Sequence, residues 1–241
     1  MNAIISKARA WEIAREFSEI ARQEDVEDSI LGVYVIGSLG AGEYIPGRSD
    51  IDTALVARDT VSNDLKSRLR ALRTELVLKY GIPKDFGGII LPENDIYPPY
   101  DPEKELVPEI YRLLVQGKRI WGSYDLANVP MPARSDFRAW ARVFHTWLRS
   151  DRPDAEHSVV AAVNRTLIEI RLLLWDKTDS FVLNKRELIP VFLKTAYGEG
   201  FRNELVDIQK YVLGRQERHD LEYLEDLLER ITNLVVKEVA L

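Results

Sequence analysis

Four residues early in the chain have types and spacing that could do chemistry. Gly37 and Ser38 are followed by eleven intervening residues, then by Asp50 and Asp52. A glycine at a tight turn lets backbone come close to a phosphate, and the serine adds a hydroxyl donor. Two aspartates two apart on a strand project from the same face. Side by side, their carboxylates repel, and such a pair is tolerated where a divalent cation neutralises it. Magnesium prefers oxygen ligands and combines one or two carboxylates with substrate phosphates. The pattern therefore fits in-line attack at a phosphoryl centre. An isolated Asp-x-Asp is commonly a solvated turn; the preceding strand–Gly–Ser turn and the apolar run after Asp52 are what give this one a chemical reading.

The elements that must position these residues can be read from periodicity. Ile4, Ala8, Trp11, Ala14, Phe17, Ile20 and Ala21 recur at helical spacing and predict an opening helix. Ser29 to Ile36 (SILGVYVI) reads as a buried strand closed by Gly37. A Gly/Pro-rich loop follows, and Ile51 to Ala57 (IDTALVA) reads as a second strand. Leu65, Leu69, Leu72, Leu76 and Val77 mark a crossover helix stopped by Gly81–Ile82–Pro83. Asp85 to Leu91 is a third strand, in which Gly87–Gly88 suggests a bulge or a close approach. The four prolines of PENDIYPPYDPE predict an irregular segment. Glu103 to Gly117 reads as a helix, and WGSYDLANVPMPARSD as a linker.

From Asp136 the pattern is helical: roughly 136–149, 157–175, helices opening near Asn184 and Glu199, and a last one over about 220–239. Strands first and helices after predict an α+β fold, a short mixed sheet flanked by helices followed by an α-helical bundle. The expected domains are 1–130, catalytic, and 131–241, helical and nucleotide- or acceptor-binding.

Composition narrows the function classes. The 241 residues carry 39 acidic and 33 basic side chains, a net charge of −6, which disfavours a nucleic-acid partner and suits a cationic small one. The absence of cysteine excludes disulfides, zinc–thiolate sites and cysteine nucleophiles. No stretch approaches the roughly 20 apolar residues of a membrane span, and the N-terminus has no secretory apolar core. A cytoplasmic enzyme is expected, as a monomer or homodimer.

The stretch IGSLGAGEYIPGRSDIDTALV resembles the signature of the DNA-polymerase-β-like nucleotidyltransferase superfamily. The resemblance implies a magnesium-dependent nucleotidyltransferase with ATP as co-substrate. Gly37, Ser38, Ser49 and Arg48 would hold the phosphates, and Asp50 and Asp52 the metal. It also implies a third carboxylate on a later strand, acting as general base or further metal ligand. Asp85 is the candidate, with Glu93 and Asp95 as alternatives.

In the second half, Asn164, Arg171, Lys185 and Tyr211 before Val–Leu–Gly resemble the helical domain of the streptomycin/spectinomycin (aminoglycoside) adenylyltransferases. There the matching Arg, Lys and Tyr approach the nucleotide. Cations can neutralise a triphosphate, and an aromatic ring can pack on adenine. The resemblance implies AMP transfer to a hydroxyl of a small aminoglycoside-type molecule, with antibiotic resistance as the biological setting. The chain departs from that family where its drug-holding carboxylates lie: Ala161 and His157 stand in their places. Two rival readings are transfer to RNA or protein, and a non-catalytic, antitoxin-like or regulatory module of the same fold. His145 and His219 read as surface or satisfied histidines. Trp140, Trp147 and Trp175 read as core, and Arg138 with His145 only weakly resembles a nuclease motif.

Overall fold

A computed structural model describes residues 4–58, 61–82, 85–104, 106–149, 158–178, 182–213 and 220–239, the side chains of 145–149 excepted. The chain divides into two compact units, Met1–Pro132 and Ala133–Leu241.

The first unit is built on a four-stranded sheet of order β3-β2-β1-β4. The strands are β1 (Ile30–Ile36), β2 (Ile51–Ala57), β3 (Phe86–Pro92) and β4 (Lys118–Gly122). β1 pairs antiparallel with β2 and β4, and β2 pairs parallel with β3, so the sheet is mixed. The parallel pair needs a crossover. Helix α3 (Asn63–Tyr80) supplies it, capped by the Ser62 side chain at its start and by Gly81 in the left-handed region (φ 61°) at its end. Helix α1 (Lys7–Glu24) opens the unit, with Ser6 as its N-cap.

Alternation along the strands sends side chains to two cores. Val33, Val35, Ile51, Leu55 and Phe86 pack with Ile13 and Phe17 of α1 and with Leu69, Leu72 and Leu76 of α3. Tyr34, Ile36, Ala54, Val56 and Leu91 face the other way, onto Ile110 and Leu113 of α4 (Val107–Gln116). Asp50 and Asp52 share the parity of Ala54 and Val56 and so belong to this second face. Between β1 and β2 lies one short helical turn, α2 (Gly37–Gly40).

Two expectations are corrected. The segment read as a linker begins with the end of a strand: β4 takes residues 118–122 and pairs with β1. The helix expected from Glu103 begins at Val107. The Gly87–Gly88 pair makes no bulge, because β2 and β3 keep one continuous register from Ile51↔Phe86 to Ala57↔Pro92. What it permits is close approach: a Cβ on Gly87 would overlap Asp52, and one on Gly88 would overlap the Arg73 guanidinium.

The second unit is helical: α5 (Arg134–Arg149), α6 (Val159–Thr178), α7 (Lys185–Phe192), α8 (Arg202–Val212) and α9 (Leu221–Val239). α6 is its centre, packing on α5, α7 and α9. Trp140 and Trp175 are buried, and Phe137 meets Trp175 edge-on at 4.8 Å. Arg138 pairs with the buried Asp176. Pro190 lies inside α7 and has no N–H to give the Arg186 carbonyl; Gln209 of α8 donates to that carbonyl instead, at 2.7 Å. Among the described residues no helix is long and apolar enough to cross a membrane.

Candidate active site

The site follows from how three strand ends meet. Antiparallel pairing brings the last residue of β1, Ile36, opposite Asp52. Parallel pairing brings Gly87 of β3 to the other side of the same Asp52. One row across the sheet therefore reads Ile36–Asp52–Gly87, with Gly37 continuing directly from β1. Gly37 adopts φ 63°, a left-handed conformation that costs glycine little, and a Cβ there would overlap Asp52 Oδ2. A Cβ on Gly87 would overlap Asp52 Oδ1. The Asp52 carboxylate is thus seated between two bare backbones.

Asp50 and Asp52 are both half-buried at the start of β2. The Ser38 hydroxyl is buried and has no hydrogen-bond partner among the described residues. A buried, unsatisfied hydroxyl costs about 1–3 kcal/mol, so its position suits an incoming oxygen-rich group. Ser49 is buried and its Oγ accepts from Ile45 N at 2.9 Å, closing the loop that delivers Asp50. Arg48 is exposed on that loop, and its own N–H donates to Ile45 O at 3.1 Å. The donor set fits magnesium: two carboxylates on one strand face, in the same loop–strand unit as a buried hydroxyl without a partner among the described residues.

Asp85 lies just before β3. Its carbonyl accepts from Ile51 N at 3.3 Å, and its carboxylate accepts from the N–H of Phe86 at 2.7 Å. It is exposed. Among the described residues no three acidic or imidazole side chains gather as a metal cage. The β2–β3 register, which starts at Ile51↔Phe86, brings Asp85 alongside Asp50 at the same strand ends. Of the alternatives, Asp95 is engaged with Lys104 at 2.7 Å, and Glu93 lies in the short turn before it.

Tyr44 was not marked by the sequence reading. It is buried in the loop between Ser38 and Asp50, and its hydroxyl has no partner among the described residues. Burial pushes its pKa up, and the Asp50 charge adds to the effect. A lone aromatic in a Gly/Pro-rich loop has no periodic signal; only the fold shows it near Asp50.

In the second unit, Arg171 donates to the carbonyls of Val182 (3.3 Å) and Leu183 (2.8 Å), holding the segment that leads into α7. Lys185, the first residue of α7, is exposed and reaches Asn164 Oδ1 at 3.3 Å. Tyr211 is half-buried near the end of α8. Ala161 lies in the first turn of α6. His157 and His219, and the side chains of His145 and Trp147, lie outside the described residues.

A family model described as "Nucleotidyltransferase domain" matches residues 14–113, which include β1, β2 and β3. No curated protein matches the chain by sequence. Among solved structures, the chain is similar to the spectinomycin adenyltransferase AAD(9) of Enterococcus faecialis, solved with ATP and spectinomycin. The TM-score is 0.73 at 17% identity, over 96% of this chain and 99% of that one. A toxin–antitoxin structure with AMP-PNP also matches, at TM-score 0.27 and 18% identity, over 56% of this chain and 86% of that one. Residues 14–113 therefore match the nucleotidyltransferase domain family, and the chain shares the fold of the spectinomycin adenyltransferase with which it aligns.

Proposed function

We propose that the protein is a magnesium-dependent adenylyltransferase that moves AMP from ATP to a hydroxyl of a small molecule, an aminoglycoside-type acceptor first among candidates. The observation that carries this reading is the Asp52 carboxylate seated against Gly37, beside the unsatisfied Ser38 hydroxyl. Gly37, Ser38, Ser49 and Arg48 are assigned to the triphosphate. Asp50 and Asp52 would hold magnesium, which would neutralise charge on the phosphates. Asp85 takes the proton from the acceptor hydroxyl, whose oxygen forms a bond to the α-phosphorus. The bond from the α-phosphorus to the bridging oxygen breaks, and pyrophosphate leaves. Arg171 and Lys185 are assigned to phosphate charge and Tyr211 to the adenine. With Ala161 and His157 in place of the drug-holding carboxylates, the acceptor needs less cationic anchoring than the aminoglycoside family's substrates.

The test is pyrophosphate release from MgATP across a panel containing streptomycin, spectinomycin and uncharged polyols. Acceptor-dependent release that Asp50→Asn and Asp52→Asn each abolish, with the fold intact by circular dichroism, is the expected result. Near-native rates in either variant would remove the metal assignment.

A further inference from the structure

Away from the Asp50–Asp52 pair, the first unit has a concavity of about 580 Å³ bordered by α1, the Leu39–Gly42 turn and β4. Three of its side chains, Lys7, Trp11 and Arg15, recur every fourth residue and so form one stripe of α1. Lys118, opposite Val35 in the sheet, faces them from β4, while Arg119 borders the hollow and sends its guanidinium to the other face of the sheet, that of Tyr34. No acidic side chain is among the described residues lining it. This is unexpected in a chain of net charge −6, in which three other cations of α1 and α3 are matched by acids. Arg9 pairs with Glu12, Lys79 with Glu16 and Arg68 with Glu24. Arg119 is partly used, donating to the Tyr124 carbonyl at 3.2 Å. Lys7 spends one of its three N–H donors on the Gly42 carbonyl at 2.8 Å. Arg15 and Lys118 have no ion-pair partner among the described residues, although both line the hollow.

We propose that this concavity is a second ligand site, for an oligophosphate anion. A single carboxylate would leave most of the positive charge uncompensated, whereas a di- or triphosphate carries three to four negative charges near neutral pH and matches it. Arg15 offers the planar fork suited to phosphate oxygens, and Lys7 and Lys118 add point charges. The volume lies in the range of small-molecule sites. Trp11, which lines the hollow half-buried with part of its ring packed on the core, offers an indole on which a base could stack if the phosphates belong to a nucleotide. The site shares no residue with Gly37, Ser38, Asp50, Asp52 or Asp85. It does border the far end of the turn that begins at Gly37, so an occupant would touch the loop that delivers the catalytic aspartates.

The experiment is calorimetric titration of the full chain with tripolyphosphate, and separately with ATP, in EDTA so that no divalent metal supports binding at the aspartate pair. Saturable binding is expected in the wild type and in Asp50→Asn/Asp52→Asn. In Arg15→Glu/Lys118→Glu it should weaken at least tenfold, with an unchanged circular dichroism spectrum. ATP binding more tightly than tripolyphosphate, with the difference removed by Trp11→Leu, would assign the phosphates to a nucleotide; equal binding would assign them to free oligophosphate. Absence of saturable binding, binding untouched by the charge reversals, or binding lost only in the aspartate variant would each overturn the proposal. The last outcome would leave the adenylyltransferase reading standing.

Discussion

Asp52 and Gly87 touch across the parallel β2–β3 pair so closely that a single added carbon on Gly87 would overlap the Asp52 carboxylate. Gly87 is thus a positioning residue for Asp52. A Gly87→Ala substitution should displace the carboxylate while leaving the strand pairing intact, since φ at Gly87 is not in the left-handed region. Turnover should fall by about 10- to 100-fold, the scale of an ångström-level misplacement. The magnesium concentration for half-maximal rate should rise, with little change in thermal midpoint. An unchanged magnesium dependence would show that the carboxylate tolerates the shift.

Arg73 of α3 rests against Phe17, 5.1 Å from ring centroid to guanidinium carbon, with its Nε and Nη2 buried and unsatisfied among the described residues. Burial pulls its pKa down to about 10, partly offset by the nearby Asp85. A buried cation without full compensation is expensive, and an apolar side chain of similar length removes that cost. Arg73→Met should leave stability unchanged or raise it by about 1 kcal/mol in urea denaturation. A loss above about 2 kcal/mol would mean that the guanidinium holds the Gly88 backbone in place.

Alkaline pH should loosen the first unit. Burial raises the pKa of Tyr34, Tyr44, Tyr111 and Tyr124, the last helped by its hydrogen bond to Tyr97. A folded-state pKa above the unfolded value of 10.0 means that the unfolded chain releases its protons first. The contribution is complete below pH 10 and is lost as pH rises beyond it. Urea midpoints measured between pH 8 and 11.5 should fall only in the upper part of that range, and Tyr124→Phe should flatten the fall.

Arg171 donates to two successive carbonyls immediately ahead of Lys185. Arg171→Ala should therefore cost about 1.5–3 kcal/mol of stability through those charge-assisted bonds, besides any effect on nucleotide affinity. Comparison with Lys185→Ala separates the two roles. The lysine, exposed at the helix start, should lower ATP affinity with little loss of stability. Equal destabilisation by both would argue against that division.

The sequence exposed most where chemistry and hydrophobic patterning coincide. β2 was legible end to end because a β-branched apolar run sits between Asp50 and Arg58, and the crossover helix because its leucines repeat at three and four. β4 was hidden because it is a five-residue edge strand that begins with two charges, Lys118 and Arg119, and buries no residue fully. The site was readable as to Gly37, Ser38, Asp50 and Asp52, since their spacing is local. Gly87 drew notice as a glycine in a strand, but its partner depends on a parallel register between residues 35 apart. Tyr44 had no local signal at all.

The strand ends that frame Asp52 all come from residues 36–87, and the helices that back the two faces of the sheet, α1, α3 and α4, are complete by Gln116. On a ribosome, the strand ends that frame this carboxylate therefore emerge well before α5 is made. The first unit can begin to settle its core while the helical half is still being synthesised, at the usual several residues per second. Nascent chains stalled soon after Pro132 clears the exit tunnel already contain every strand of that row.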